Sequence, residues 1–253
     1  MLDKSGKEFM QQAQAMQAQE LQRFNAMAQE WWNPNGKFKR VLEFNAARVD
    51  TIVAGMAAHF KRDLTTEKPF AGLRILDIGC GAGLICEPLA QLGASVLGVD
   101  GSEMNVHVAR AHAAQSGADV TYRHALAEEL NEVERFDVVL NTEVIEHVPD
   151  QAKLLATCAG LVAPQGLLVM ATLDRTIKSF LVAIVGAEYV LKMLPKGTHD
   201  WRYFVRPQEM EQMLMAHGMR LQQQRGFAFN PLSQRWRVTL RPNVNYMQFY
   251  ERE

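Results

Sequence analysis

A chain of 253 residues with a formal net charge of −1 and 48% apolar residues can bury a large core, which excludes a disordered chain or a globally basic, nucleic-acid-binding protein. Its three cysteines, Cys80, Cys86 and Cys158, show neither zinc-ligand spacing nor the density of a disulfide framework. With no apolar signal core near the start and no run of about 20 apolar residues, the expected setting is the reducing cytoplasm.

Residues 1–20, rich in Gln, Ala and Met, read as a frayed helix or disordered leader ahead of a single domain over 21–253. The domain opens with N-terminal helices (21–60). The first, over 21–30, gathers Leu21, Phe24, Met27 and Ala28 on one face and is broken by Trp31-Trp32-Asn33-Pro34-Asn35-Gly36; the second covers 45–60. Strands and helices then alternate: strand 74–78, helix 84–91, strand 95–99, a helix from the N-cap Ser102 to about 115, and strand 119–123. Strand 136–140 is apolar enough to be buried on both faces, and a helix near 150–161, ended by Pro164-Gln165-Gly166, leads to strand 167–171. A helix over 206–217 ends at Gly218, and two late strands, 219–225 and 246–250, form an antiparallel edge. This order predicts an α/β fold with a doubly wound, mostly parallel, seven-stranded sheet and right-handed crossovers.

Two stretches lie outside the alternation. Residues 174–200 carry an apolar stripe (Ile177, Phe180, Leu181, Ile184, Val185) flanked by lysines, which suits either an amphipathic core helix or a lid that also rests on a membrane surface. The arginines of 201–241, opposed only by Glu209 and Glu211, are either solvated or form a face for an anionic phospholipid leaflet.

The chemistry concentrates at Asp77-Ile78-Gly79-Cys80-Gly81-Ala82-Gly83, a buried strand running into a glycine turn that opens a helix. Asp100 closes the next strand about twenty residues on, where a ribose hydroxyl would be met. The turn is G-x-G-x-G, not the G-x-G-x-x-G that supports a pyrophosphate, and no Lys-Ser/Thr follows, so a P-loop is excluded. Gly79 and Gly81 let the backbone approach a ligand, and Gly83 lets the helix start close to the strand. The Asp77 carboxylate would repel a diphosphate and favour a sulfonium or ammonium group. The pattern is that of the Rossmann-like, class I S-adenosylmethionine-dependent methyltransferases.

A second constellation follows the fourth strand, in Thr142-Glu143-Val144-Ile145-Glu146-His147, at the carboxyl end of the sheet where open α/β folds bind ligands. In a helical turn Glu143, Glu146 and His147 neighbour one another; they could hold a divalent metal such as Mg, or they could cap a helix and order the loop. His147 and His199 are the candidate bases, with Glu146 and Asp200 as their orienting carboxylates.

Read together, the Trp31-Trp32-Asn33-Pro34 segment, Val185-Gly186-Ala187-Glu188-Tyr189, Lys196-Gly197-Thr198-His199-Asp200 and Val244-Asn245-Tyr246-Met247 make the chain resemble the ubiquinone-biosynthesis O-methyltransferases over roughly 24–247. The resemblance implies a methylase of 2-polyprenyl-6-hydroxyphenol and 3-demethylubiquinol, with other small-molecule acceptors or a non-catalytic, cofactor-binding role in a quinone-making complex as the alternatives. It implies cofactor contacts at Arg48, Gly79, Asp100 and Thr142, with Arg48 meeting the carboxylate of the methionine moiety. It also implies magnesium on Glu143, Glu146 and His147 in some members, and an active-site-gating, membrane-contacting insertion over 177–198. The expected partners are a lipid-tailed catechol or quinol, the inner face of a membrane and other ubiquinone-biosynthesis proteins. This chain departs from the family's usual pattern at Asn45-Ala46-Ala47-Arg48, where Asn-Pro-Leu-Arg is common, at Asn33, and at Thr142, often Met.

Overall fold

The computed structural model describes residues 32, 33, 35, 36, 39–130, 134–176, 179, 200–230, 233 and 235–253. The expected leader over 1–20, the first helix and most of the 174–200 insertion lie outside these residues. In chain order the elements are α1 (Lys39–Phe60), β1 (Arg74–Ile78), α2 (Cys86–Gln91), β2 (Ser95–Asp100), α3 (Glu103–Ser116), β3 (Val120–His124), β4 (Phe136–Thr142), α4 (Gln151–Leu161), β5 (Val162–Leu173), α5 (Pro207–Met215), β6 (Met219–Asn230), β7 (Arg235–Thr239) and β8 (Asn245–Arg252).

The strands form one sheet in the order β3-β2-β1-β4-β5-β8-β6-β7. The first five run parallel, and β8, β6 and β7 continue the sheet antiparallel. The chain winds outward from β1 to β3 and then crosses back to lay β4 against the other side of β1. That reversal opens a crevice at the strand ends, where open α/β sheets bind ligands. Register sets its floor: Ile78 pairs with Val99 on one side and Asn141 on the other, so the ends of β1, β2 and β4 lie abreast.

Apolar side chains alternate onto both faces of the sheet and build two cores. On one, Ile52 and Met56 of α1 and Leu89 of α2 pack on Ile75, Val138, Val169 and Phe249. On the other, Leu155 and Cys158 of α4 and Met210 and Leu214 of α5 pack on Leu76, Val139, Leu168 and Tyr250. Each fully buried Leu, Ile or Met contributes about 1.5–3 kcal/mol relative to exposure. The caps follow the sequence: the Ser102 hydroxyl accepts from the Asn105 N–H and the Asp150 carboxylate from the Lys153 N–H, ahead of α3 and α4.

The sheet has eight described strands where seven were expected. The additional one, β7, alternates Trp236 and Val238 with Arg235, Arg237 and Thr239, and Trp236 reaches Phe44 of α1 at a ring separation of 4.3 Å. β5 also starts earlier than expected, directly after α4. Phe136 pairs with Val162 but Val138 with Leu167, so Pro164-Gln165-Gly166 is a bulge inside the strand, with Gln165 at φ 59°.

Candidate active site

The turn 79–83 leaves β1 for α2 with three glycines in the left-handed region, at φ 76°, 55° and 87° for Gly79, Gly81 and Gly83. It is tied to the end of β2 from below: the Gly79 and Cys80 amides donate to the Val99 carbonyl at 2.8 and 3.0 Å. Glycine is also required by packing. A Cβ at Gly79 would lie 2.2 Å from Val144 Cγ2, in the loop after β4, and one at Gly83 would lie 2.2 Å from the Tyr122 hydroxyl of β3. Gly83 therefore answers to a neighbouring strand as well as to its own helix start.

Asp100 is buried and holds the turn in place. Its Oδ2 accepts from the Gly81 amide at 2.8 Å, and its Oδ1 from the Ser102 amide at 2.8 Å and the Asn105 side-chain amide at 3.1 Å. Burial raises its pKa while these donors lower it. Each carboxylate oxygen can accept two hydrogen bonds, so Oδ2 keeps capacity for a ribose hydroxyl.

Asp77 is fully buried at the tip of β1. The Cys86 thiol donates to its Oδ2 at 3.2 Å, and Oδ1 has no hydrogen-bond partner among the described residues. Burial lifts this carboxyl from 3.8 to about 6, against the Cys86 bond and the Arg48 charge, which pull it down. Such a group stabilises the folded chain most below its unfolded pKa, and that contribution is lost as pH rises through about 6. Above that pH the fold carries an ionised, under-solvated carboxylate. The Asp77→Asn variant is therefore expected to exceed the parent in stability by about 1–3 kcal/mol at pH 7.5 and by much less at pH 5. Thermal melts at the two pH values measure this, and the same variant should lose affinity for a cationic ligand.

Arg48 comes from α1 and links the two constellations. It is buried, its Nη1 lies 3.3 Å from Glu143 Oε1, its Nη2 donates to Asn45 Oδ1, and its guanidinium lies over the Phe44 ring at 4.7 Å. Burial lowers its pKa, while the Glu143, Glu146 and Asp77 charges raise it. Its Nε and Nη1 make no hydrogen bond among the described residues, which leaves two guanidinium donors that a carboxylate could take up.

Beyond β4, whose last residue Thr142 is buried, Glu143 adopts φ 56° and donates its amide to the Ala171 carbonyl at 2.8 Å. A non-glycine residue held there costs about 1–3 kcal/mol, the kind of strain that gathers at functional sites. The turn Ile145–His147 follows, and buried Glu146 accepts from the Thr172 hydroxyl of β5 at 2.7 Å.

These engagements bear on the expected metal. Glu143 faces a guanidinium, Glu146 serves Thr172, and the described residues contain no group of three His, Cys, Asp or Glu side chains that could hold an ion. The Glu143, Glu146 and His147 arrangement as it stands does not fit magnesium. An adenosyl sulfonium fits better: a crevice floored by glycines, an unpaired buried Asp77 oxygen and a forked guanidinium match its cation and its carboxylate.

The structure thus brings Arg48, Asp77, Gly79, Gly81, Gly83, Asp100, Thr142, Glu143 and Glu146 to one end of the sheet. Asp200, expected to orient a histidine, instead caps the Trp201–Tyr203 turn. It accepts from the Arg202 amide at 3.0 Å and pairs with the Arg202 side chain, which holds its carboxyl below the usual range. His199 lies outside the described residues. Sequence reasoning missed Asn45, Cys86 and Asn105 as supports. It also missed Trp32, whose indole N–H donates to the Ala82 carbonyl of the turn at 2.6 Å.

Comparison with known proteins agrees with this geometry. Residues 49–225 match the family model described as a methyltransferase domain. The chain is 50% identical over 236 residues to the ubiquinone biosynthesis O-methyltransferase of Chelativorans sp., covering 93% of each. It is 51% identical to that of Dinoroseobacter shibae, covering 92% of this chain and 95% of that one. Among solved structures, magnesium protoporphyrin IX methyltransferase from Synechocystis PCC 6803 with bound SAM superposes at a TM-score of 0.66, over 94% of this chain and 97% of that one; at 19% identity this shows the shared fold. About half the residues are identical across nine-tenths of the curated relatives, which is more than likeness of fold, and the chain belongs to the ubiquinone biosynthesis O-methyltransferases, S-adenosylmethionine-dependent enzymes.

Proposed function

We propose that this enzyme methylates the phenolic hydroxyl of polyprenyl-tailed catechols, 2-polyprenyl-6-hydroxyphenol and 3-demethylubiquinol, during ubiquinone biosynthesis. The observation that carries this reading is the half identity to relatives bearing that name across nearly their whole length.

S-adenosylmethionine supplies a methyl group already activated by a positive sulfur. In this reading the chain's residues bind and align. Arg48 holds the carboxylate of the methionine end, Asp77 meets its positive charge, and Asp100 takes the ribose, with Gly79, Gly81, Gly83 and Thr142 forming the wall. Asp77 and Glu146 keep the crevice negative overall, which favours a cationic donor over its neutral product. A phenol has a pKa of about 10, so the acceptor oxygen needs help to lose its proton. His147, next to Glu146, and His199 are the proposed proton acceptors. No step is assigned to magnesium.

The acceptor's tail places the enzyme at the cytoplasmic face of a membrane in this proposal, beside other proteins of the same pathway. No helix among the described residues is long and apolar enough to cross a bilayer. A peripheral contact is supported by the sheet edge, where Leu240 is 79% exposed and Phe229 and Val238 stand open near Arg235, Arg237 and Arg241. The insertion 174–200 is proposed as the second contact and the lid.

Purified protein given S-adenosylmethionine and a short-tailed catechol is expected to yield the mono-methyl ether, read by mass spectrometry. Failure to methylate any catechol by a protein that still binds S-adenosylhomocysteine, with faster turnover of a soluble polar acceptor, would replace the substrate assignment.

A further inference from the structure

Three side chains from separate elements meet on the outer side of the glycine turn. The indole of Trp32 stacks on the imidazole of His112, in α3, with ring centroids 3.5 Å apart and planes 7° from parallel. His112 Nδ1 lies 2.9 and 3.0 Å from the two carboxylate oxygens of Glu87, in α2. Glu87 is 2% exposed and also accepts from the Ser116 hydroxyl at 2.7 Å. A hydrogen bond that merely joined α2 to α3 would need no indole on it. The indole, however, does more than cover the pair: its N–H donates to the Ala82 carbonyl at 2.6 Å. The amide of that same peptide group, on Gly83, donates to the Cys80 carbonyl at 3.0 Å. Trp32 and Cys80 therefore fix both ends of the 82–83 peptide.

We propose that His112, oriented by Glu87, is a positioning residue for the cofactor: it seats Trp32 on the turn and so couples the segment around Trp32 to cofactor affinity. The proposal rests on the turn 79–83 being the cofactor site. Two parts of the turn are hydrogen-bonded from within the sheet, at the Val99 carbonyl and the Asp100 carboxylate. The Ala82 carbonyl is held by a residue that precedes α1 and belongs to no described strand. A flat stack on a ring whose Nδ1 meets both oxygens of a buried carboxylate supplies that anchor. A ligand that needs the turn in this shape binds more tightly when Trp32 is seated, and by linkage its binding seats Trp32. His112 touches neither the turn nor the cofactor crevice in this account; its effect passes through Trp32.

Calorimetric titration of S-adenosylhomocysteine into the full-length parent, Trp32→Phe, His112→Ala and the double variant tests this. Trp32→Phe keeps an aromatic face for stacking while removing the N–H and part of the ring, and a thermal melt of each variant checks that it folds. Each single variant is expected to weaken binding about 5–20-fold, the range of an ordinary coupling energy. The double variant is expected to match the weaker single, because both changes break one chain of contacts. In steady-state methylation the KM for S-adenosylmethionine should rise by the same factor, while kcat at saturation stays within about twofold. Losses that multiply in the double variant, or parental affinity in both singles, would overturn the proposal while leaving the cofactor site intact. Absence of binding by the parent protein would remove the cofactor assignment and this inference together.

Discussion

Arg48→Ala is expected to lower kcat/KM by about 10²–10³, the largest loss from any single exchange at this site. Two effects combine. The buried guanidinium interacts with the charges of Glu143, Glu146 and Asp77, and removing it takes that compensation away. Breaking a buried pair costs about 3–5 kcal/mol of stability; Glu143, at 24% side-chain exposure, moves this toward the lower end. The second effect is loss of the guanidinium donors proposed for the carboxylate of the methionine moiety, which removes alignment of the methyl group. The variants separate the two. Arg48→Lys keeps the charge without the fork, so it should recover most of the stability and little of the activity. Arg48→Met combined with Glu143→Gln should melt near the parent yet remain inactive. Thermal denaturation beside steady-state kinetics decides, and an Arg48→Ala enzyme within tenfold of the parent would contradict the assignment.

Gly79→Ala is expected to weaken cofactor binding about 100-fold and to lower stability by roughly 2–3 kcal/mol, from a left-handed backbone and from overpacking. Glycine holds φ 76° there, and the added methyl would sit 2.2 Å from a methyl of Val144. Val144 lies between Glu143 and the turn that carries Glu146, so displacing it disturbs the acidic loop as well as the glycine turn. A companion change tests that link. Val144→Ala in the Gly79→Ala background removes the collision but not the backbone strain, so it should restore part of the stability. Calorimetry with S-adenosylhomocysteine measures the binding. If the double variant is no better than the single, the collision is not the cause.

The parts of this protein that local chemistry determines were legible in its sequence. The run into Gly79, Gly81 and Gly83, the Asp100 that ends β2 and the Ser102 cap are written within short windows, and the structure places them where those windows imply. Other features depend on residues far apart in the chain. β7 carries two arginines among few apolar residues, and its inward face becomes visible only when Trp236 meets Phe44 of α1. Pro164-Gln165-Gly166 carries the residues of a turn, and the chain does bend there, but pairing with β4 absorbs the bend as a bulge. Asp200 resembled a catalytic carboxylate because it follows a histidine; the arginine two residues on takes it as a cap. Glu87, His112 and Trp32 are separated by up to 80 positions, and no periodicity announces that a buried acid will hold an imidazole under an indole.

The placement of β8 has a consequence for how the molecule is made. This strand comes last in chain order, yet it lies between β5 and β6, with Tyr246 and Tyr250 fully enclosed. Until it arrives, the parallel half of the sheet ends in an open, apolar β5, and the β6–β7 hairpin has nothing to lean on. Assembly must therefore wait until β8 itself has left the ribosome, and during that interval the bare margin of β5 is the place where stray strands would adhere.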